Sequence, residues 1–354
     1  MGDNPGVEVN PSESAANQRV AVFAPNPVLG VTIEARGPSG DDIHVHPGGQ
    51  GVWLTRMASE LGAGPVLCGL CGGETGAVLR PLLEALPGER RLVETAGASG
   101  CYVVDRREGE RRLVSSSLSP PPSRHELDDL FAVTCTAALD ARVLAVCNPY
   151  PGDVLPLEVY GKLVSDVRDN GVPVIVDLSS PRLDSALEGS PDLVKLNDWE
   201  LAEFVSGPVS EPEQLRAAAE RIRARGAGTV LVTRAGDPAL VLNDEGAWEL
   251  VPPRFERGSR EGCGDSMMGG IAAGLAAGLG WQETLVLGAA AGAVNFLRHG
   301  LGTGSRETVR EIAARVELRP LQPESVRGVT RTGHGDSRMT RADTLPSSTA
   351  RNGP

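Results

Sequence analysis

Apolar residues in this chain recur at two spacings, and the change from one to the other divides it. Val20 to Phe23, Val31 to Ala35 and Ile43 to His46 read as short strands near the start. Tyr102 to Asp105 and Arg112 to Ser115 read as a hairpin turning at Glu108-Gly109. After Ala141, strands alternate with helices: Val143 to Cys147, Val174 to Asp177, Leu193 to Lys195, Thr229 to Thr233 and Ala239 to Leu242 are β-like runs. The helix before Thr229 is well signalled. Ser210 and Glu213 make a capping box, Pro212 falls in the first turn, and Leu215, Ala218, Ala219 and Ile222 share one face. Such alternation predicts a parallel sheet with helices on both faces and ligands at the carboxyl ends of its strands. Ile271 to Leu297, dense in Gly and Ala and broken by Gln282-Glu283, predicts two closely packed buried helices rather than a membrane span.

The patterned block runs over residues 19–318 without a linker-like break. Residues 1–18 and 319–354 are polar and unpatterned, which predicts a disordered N-terminal segment and C-terminal tail. The net charge of -12 argues against nucleic acid or an anionic membrane as partner. Six cysteines scattered over 354 residues are no disulfide framework, so a reducing cytoplasm is the expected location. Cys68 and Cys71 form a C-x-x-C, but without a second pair buried thiols are the expectation. His44 and His46 share one strand face, either against a ligand or in solvent.

Chemistry concentrates in Gly262-Cys263-Gly264-Asp265-Ser266, just ahead of a small-residue helix. A glycine-bracketed turn there aims backbone N–H groups at one point on the positive end of the helix dipole, a seat for a migrating phosphoryl group. Asp265 beside it suits a general base. Asn197 and Glu200, three apart on a first turn, suit either water-mediated Mg²⁺ binding or a plain helix cap. Gly48-Gly49-Gln50-Gly51 permits close ligand approach, or simply a tight turn. Gly300 to Gly304 is either a nucleotide-side loop or a helix stop.

Taken in this order, these segments resemble the PfkB-type, ribokinase-like carbohydrate kinases, most nearly the 1-phosphofructokinase and tagatose-6-phosphate kinase branch. The motifs that carry the resemblance are Asn26-Pro27 with Gly48 to Gly51 and Arg56, Gly69 to Gly76, Lys195 with Asn197 and Glu200, and Gly262 to Ser266. It implies a three-layer α/β/α sandwich with a small β lid, phosphorylating a sugar or sugar-phosphate hydroxyl with ATP and Mg²⁺. Asp265 would be the base and the amides of Gly262, Cys263 and Gly264 the anion hole. Lys195, Asn197, Glu200, Thr233, Gly236 and Asn295 would serve the nucleotide and its metal. Asn26, Gly48, Gly49, Gln50, Trp53 and Arg56 would face the acceptor. A homodimer through the lid is a further expectation.

The departures from that branch cluster on the acceptor side. Its acidic sugar ligand is Gly30 here, its GGKG lysine is Gln50 and the following Asn is Trp53. Its phosphate-gripping Thr-Arg pair is Ser99-Gly100, and the Asn beyond is Tyr102. Two lost cations would cost about 1.5–3 kcal/mol each toward a phosphorylated acceptor. Arg106, Arg107, Arg111 and Arg112 lie close enough in sequence to compensate, or form a solvated face. Ala235 and Pro238 replace glycines of the nucleotide turn, and Glu261 sets a negative charge beside the anion hole. Three functions fit: an active kinase with a changed acceptor, a non-catalytic sugar- or nucleotide-binding regulator on the same scaffold, and a nucleoside kinase with Trp53 against the base. An intact Asp265 favours the first.

Overall fold

The computed structural model describes residues 18–37, 40–149, 152, 154–298 and 300–321. The expected terminal segments lie outside this range, except Gln18 and residues 319–321.

Strands β1 (Arg19–Phe23), β4 (Gly64–Gly72), β5 (Glu89–Thr95), β8 (Val143–Cys147), β9 (Val174–Asp177), β10 (Leu193–Asn197) and β11 (Thr229–Arg234) run parallel in one sheet. Antiparallel β12 (Asp237–Asn243), β13 (Gly246–Val251) and β14 (Glu317–Pro320) complete its ten strands, in the order β14-β13-β12-β11-β10-β9-β8-β1-β4-β5. The central strands are mostly apolar because both of their faces are covered, β8 at every position and β9 and β10 with Asp177, Lys195 and Asn197 as exceptions. Val20, Val22, Val143 and Ala145 join Met57, Ile271 and Ala290 on one side. Ala21, Phe23, Leu144 and Val146 join Tyr160, Leu163 and Ile222 on the other. The first side carries α1 (Gln50–Glu60), α8 (Cys263–Ala276) and α9 (Trp281–Phe296), and the second carries α4 (Glu158–Asp169) and α7 (Pro212–Ala224). This is the expected three-layer sandwich, with Ile271 to Leu297 forming most of the α8–α9 pair.

The lid is a second, four-stranded sheet in the order β3-β2-β6-β7, from β2 (Val28–Ala35), β3 (Asp41–Gly48), β6 (Cys101–Asp105) and β7 (Arg112–Ser117). Three details depart from expectation. The α7 box lies one residue later: Glu211 is the N-cap and its N–H donates to Gln214 Oε1, with Pro212 at the first helical position. β5, with Arg90 and Arg91, and β14, with Glu317 and Arg319, are too polar to read as strands, because they occupy the two sheet edges. Pairing of β14 with β13 also carries the fold past residue 318 to Pro320.

Candidate active site

β4 leaves β1 on one side and β8 on the other, so the strand order reverses at β1, where an open α/β sheet forms its ligand crevice. α8 enters this crevice through Gly262, whose φ of 72° is open to glycine at little cost. The turn is tied down from behind. Asn295 Nδ2 donates to the Glu261 carbonyl at 2.8 Å, while its Oδ1 accepts from Gly302 N–H at 2.8 Å. Asn295 is 1% exposed, and through these two bonds it braces the turn. Cys263 N–H bonds weakly to Arg260 O at 3.3 Å, a contact that an anion in the turn would replace.

Behind the turn sits a buried charge cluster. β9 and β10 pair with Lys195 opposite Asp177, and Lys195 Nζ reaches Asp177 Oδ2 at 2.9 Å. The same ammonium lies under Gly264, where an added Cβ would come within 2.7 Å of it. Burial opposes the Lys195 charge, but Asp177, Glu200 and Asp265 outweigh it and hold the ammonium above its ordinary range. Asp265 is pushed up to about 8, first by burial and then by Asp177, with Lys195 pulling the other way. Sequence reasoning missed Asp177. Its only signal was an acid closing an otherwise apolar strand, Val174 to Val176.

Asn197 and Glu200 form a reciprocal capping box on α6 (Asp198–Val205). Glu200 N–H donates to Asn197 Oδ1 at 2.9 Å, and Asn197 N–H to Glu200 Oε2 at 2.8 Å. Asn197's amide oxygen is therefore engaged, and direct metal ligation would break the cap. Glu200 is nonetheless buried, and burial followed by Asp177 raises its pKa. Thr233 and Gly236 stand at the β11–β12 turn, where space around Gly236 is open. Ala235, in place of a glycine, is held there at φ 50°.

The acceptor-side residues divide between two cavities. Trp53 and Arg56 line one of about 250 Å³, with His46, Tyr102 and Glu261. Asn26 lines another of about 320 Å³, and its Oδ1 accepts from Ser119 Oγ at 2.5 Å. Gln50 is turned to the end of β8, where Oε1 accepts from Asn148 N–H at 2.8 Å. Asn148 Oδ1 in turn accepts from Arg182 Nε at 2.9 Å, a half-buried guanidinium that sequence reasoning also overlooked. Gly49 is the N-cap of α1, and Gly48 lies against the Tyr102 hydroxyl. The Gly300–Gly304 loop closes the first cavity and meets α1, with Arg56 Nη1 donating to Leu301 O at 3.4 Å. His46 is partly buried, close to Thr32 Oγ1 at 3.0 Å, and not in solvent. A Cβ at Gly30 would fall 2.4 Å from the His46 ring and 2.8 Å from the Tyr102 hydroxyl. The space of an acidic side chain is thus already filled. Cys68 and Cys71 are buried free thiols, and burial pushes Cys68 up to about 12.

A three-layer α/β domain under a β lid, with an acid inside a glycine-bracketed helix entry, defines a ribokinase-like kinase. The chain belongs to the pfkB family of carbohydrate kinases, whose family model matches residues 27–308. A 1-phosphofructokinase of Haemophilus influenzae is 25% identical over 287 residues, 80% of this chain and 90% of its own. The ATP-dependent 6-phosphofructokinase isozyme 2 of Escherichia coli is 30% identical over 275 residues, 76% of this chain and 87% of its own. Phosphofructokinase-2 from Escherichia coli, crystallised with potassium, superposes with a TM-score of 0.74 at 27% identity, covering 84% of this chain and 98% of that one.

Proposed function

We propose that this carbohydrate kinase transfers the γ-phosphoryl group of ATP to a hydroxyl of a sugar phosphate, with Asp265 as general base. The observation that carries the reading is Asp265 in the first turn of α8, next to the Gly262–Gly264 turn and above the Lys195 ammonium. A carboxylate held near 8 binds a proton avidly, which suits it to take one from the attacking hydroxyl. The amides of Gly262, Cys263 and Gly264, with Lys195 beneath them, would stabilise charge on the migrating group without reorganising. Lys195 keeps its proton throughout and offsets the surrounding carboxylates. Thr233 and Gly236 would face the ATP phosphates.

The donor set fits Mg²⁺. Asp177 Oδ1 is buried without a hydrogen-bond partner among the described residues, and hard carboxylate oxygens suit this ion. Among the described residues no cluster of three His, Cys, Asp or Glu side chains is placed to hold a metal ion directly. Asp177 and Glu200 would therefore hold it through its waters, with Asn197 keeping Glu200 in place. Bound there, the ion would neutralise charge on the ATP phosphates.

Two further readings concern assembly and place. The lid's outer face leaves Ile43 65%, Val45 48% and Val114 55% exposed, which supports pairing of two lids in a homodimer. Light scattering on Ile43→Glu, expected to give a monomer where the native chain gives a dimer, tests this. Six free thiols agree with a reducing cytoplasm, and among the described residues no helix is long and apolar enough to cross a membrane.

The activity is tested by ADP release with Mg·ATP over fructose 1-phosphate, fructose 6-phosphate, tagatose 6-phosphate, free hexoses and nucleosides. Turnover with a sugar phosphate that falls about 100- to 10,000-fold in Asp265→Asn is the expected result. Turnover confined to free sugars or nucleosides would reject the acceptor class. Absence of turnover with every acceptor would reject the reaction.

A further inference from the structure

The lid carries four arginines on its hairpin, and the structure sorts them into two pairs. Arg107 and Arg112 turn to Asp105, with Arg107 Nη2 at 2.7 Å and Arg112 Nη2 at 3.2 Å from Asp105 Oδ2. Arg106 and Arg111 turn the other way and both bind the Glu261 carboxylate, Arg106 Nη2 on Oε2 and Arg111 Nε on Oε1 at 2.8 Å. These three side chains are only 17–26% exposed. Arg106 and Glu261 line the 250 Å³ acceptor cavity together with Arg56. The Arg111 guanidinium also lies over the Tyr102 ring, 5.6 Å from its centroid.

One anionic group held by two guanidiniums, with a third at the same cavity wall, is the coordination a phosphate takes. Glu261 is a tethered anion well suited to occupy such a place. Its backbone is anchored through Asn295, while its side chain hangs from the last residue before Gly262. The chain lacks the lysine and arginine that related kinases are expected to use at Gln50 and Gly100, so a phosphorylated acceptor needs cations from elsewhere. The hairpin supplies them through Arg106, which lines the cavity, and Arg111 beside it on Glu261.

We propose that Arg106 and Arg111, with Arg56, form the subsite for the acceptor's phosphate, and that Glu261 occupies it as a resident carboxylate until the acceptor displaces it. This rests on the sugar-phosphate reading above. A consequence is that the acceptor's phosphate trades the lid-to-catalytic-loop ion pair for its own, so that Glu261 competes with substrate and selects against weakly charged acceptors.

The test is calorimetric binding of fructose 6-phosphate, fructose 1-phosphate and fructose to the native chain, Glu261→Gln and Arg106→Ala/Arg111→Ala, run beside ADP-release kinetics. Glu261→Gln is expected to tighten sugar-phosphate binding at least threefold and leave fructose unchanged. The double arginine variant is expected to weaken sugar-phosphate binding at least tenfold while keeping native affinity for Mg·ATP, which reports that it is folded. Arg106→Lys/Arg111→Lys, keeping the charge and less prone to misfold, should fall between. Sugar-phosphate binding and turnover that are unmoved in all these variants would overturn the subsite and leave the kinase reading standing. Sugar-phosphate binding weakened by Glu261→Gln would also overturn it. Native turnover on fructose with none on either sugar phosphate would bring down the acceptor class and the subsite with it.

Discussion

The turn that enters α8 and the lid meet where Glu261 pairs with Arg106, but they are built by opposite means. At the loop, the proposed working groups come from contiguous residues: backbone amides of Gly262 to Gly264 and the adjacent Asp265, backed by Lys195 and Asp177 on paired strands. At the lid, the working groups come from strands far apart in the chain. Gly30, His46 and Tyr102 share one volume, and Glu261 meets arginines about 150 positions away. Backbone chemistry is preserved as long as a short motif is preserved. Side-chain recognition is rewired by compensating changes that no single position displays.

That contrast is most sharply broken at the buried pair. Lys195→Met would leave Asp177 uncompensated beside Asp265 and Glu200, and is expected to destabilise the fold by about 3–5 kcal/mol. Urea unfolding midpoints measure this, and a loss below about 1 kcal/mol would mean the cluster sheds its charge by protonation. At the lid, Gly30→Asp restores the acid of related kinases yet must displace the His46 ring and the Tyr102 hydroxyl. It is expected to cost about 1–3 kcal/mol and to return no activity. A gain in kcat/KM with an unphosphorylated sugar would show that the three positions are independent after all.

Asp265 offers a pH-dependent test. The folded chain holds its proton up to about 8, whereas the unfolded chain releases it near 3.8. The folded state therefore binds the proton more tightly, and the group's contribution to stability falls as pH rises from about 4 to about 8. Asp265→Asn, inactive as a kinase, should melt about 2–4 °C above the native chain at pH 8 in metal-free buffer, with the gap closing toward pH 4. In the native enzyme kcat/KM should rise with pH until the base is ionised, levelling near 8. A profile flat from pH 6 to 9 would remove Asp265 as the base. The smallest effect is expected at the nucleotide turn. Ala235→Gly, relieving a φ of 50°, should stabilise the fold by about 1 kcal/mol with acceptor affinity unchanged.

Much of the fold was legible because its signals are local. Buried parallel strands stand out from their surroundings: Val143–Cys147 is apolar at every position, and Val174–Asp177 is apolar up to its closing acid. The α8–α9 pair announces itself by small residues that let two helices approach. Edge strands β5 and β14 were not legible, since one side of each meets solvent and their residues are polar. The Asn197–Glu200 spacing fits both a cap and a water-mediated metal site, and only the structure, with its 2.8 and 2.9 Å bonds, shows that the cap is formed. Asn295 was placed on the nucleotide side only by resemblance, and its bonds to Glu261 and Gly302, which hold the turn, have no signal in the sequence.

By itself the sequence determined the family, the three-layer order of strands and helices, the helix-entry turn and the acid within it. These depend on residues within one turn or one strand of each other, whose geometry the backbone enforces. Tertiary structure alone decided that Lys195 neutralises Asp177 under the turn, that two of four lid arginines pair with Glu261, and that Gly30 leaves no vacancy. Those outcomes depend on register, on which side of a strand a residue points, and on volume shared among distant segments. Such quantities exist only once the sheet and its lid have closed around the site.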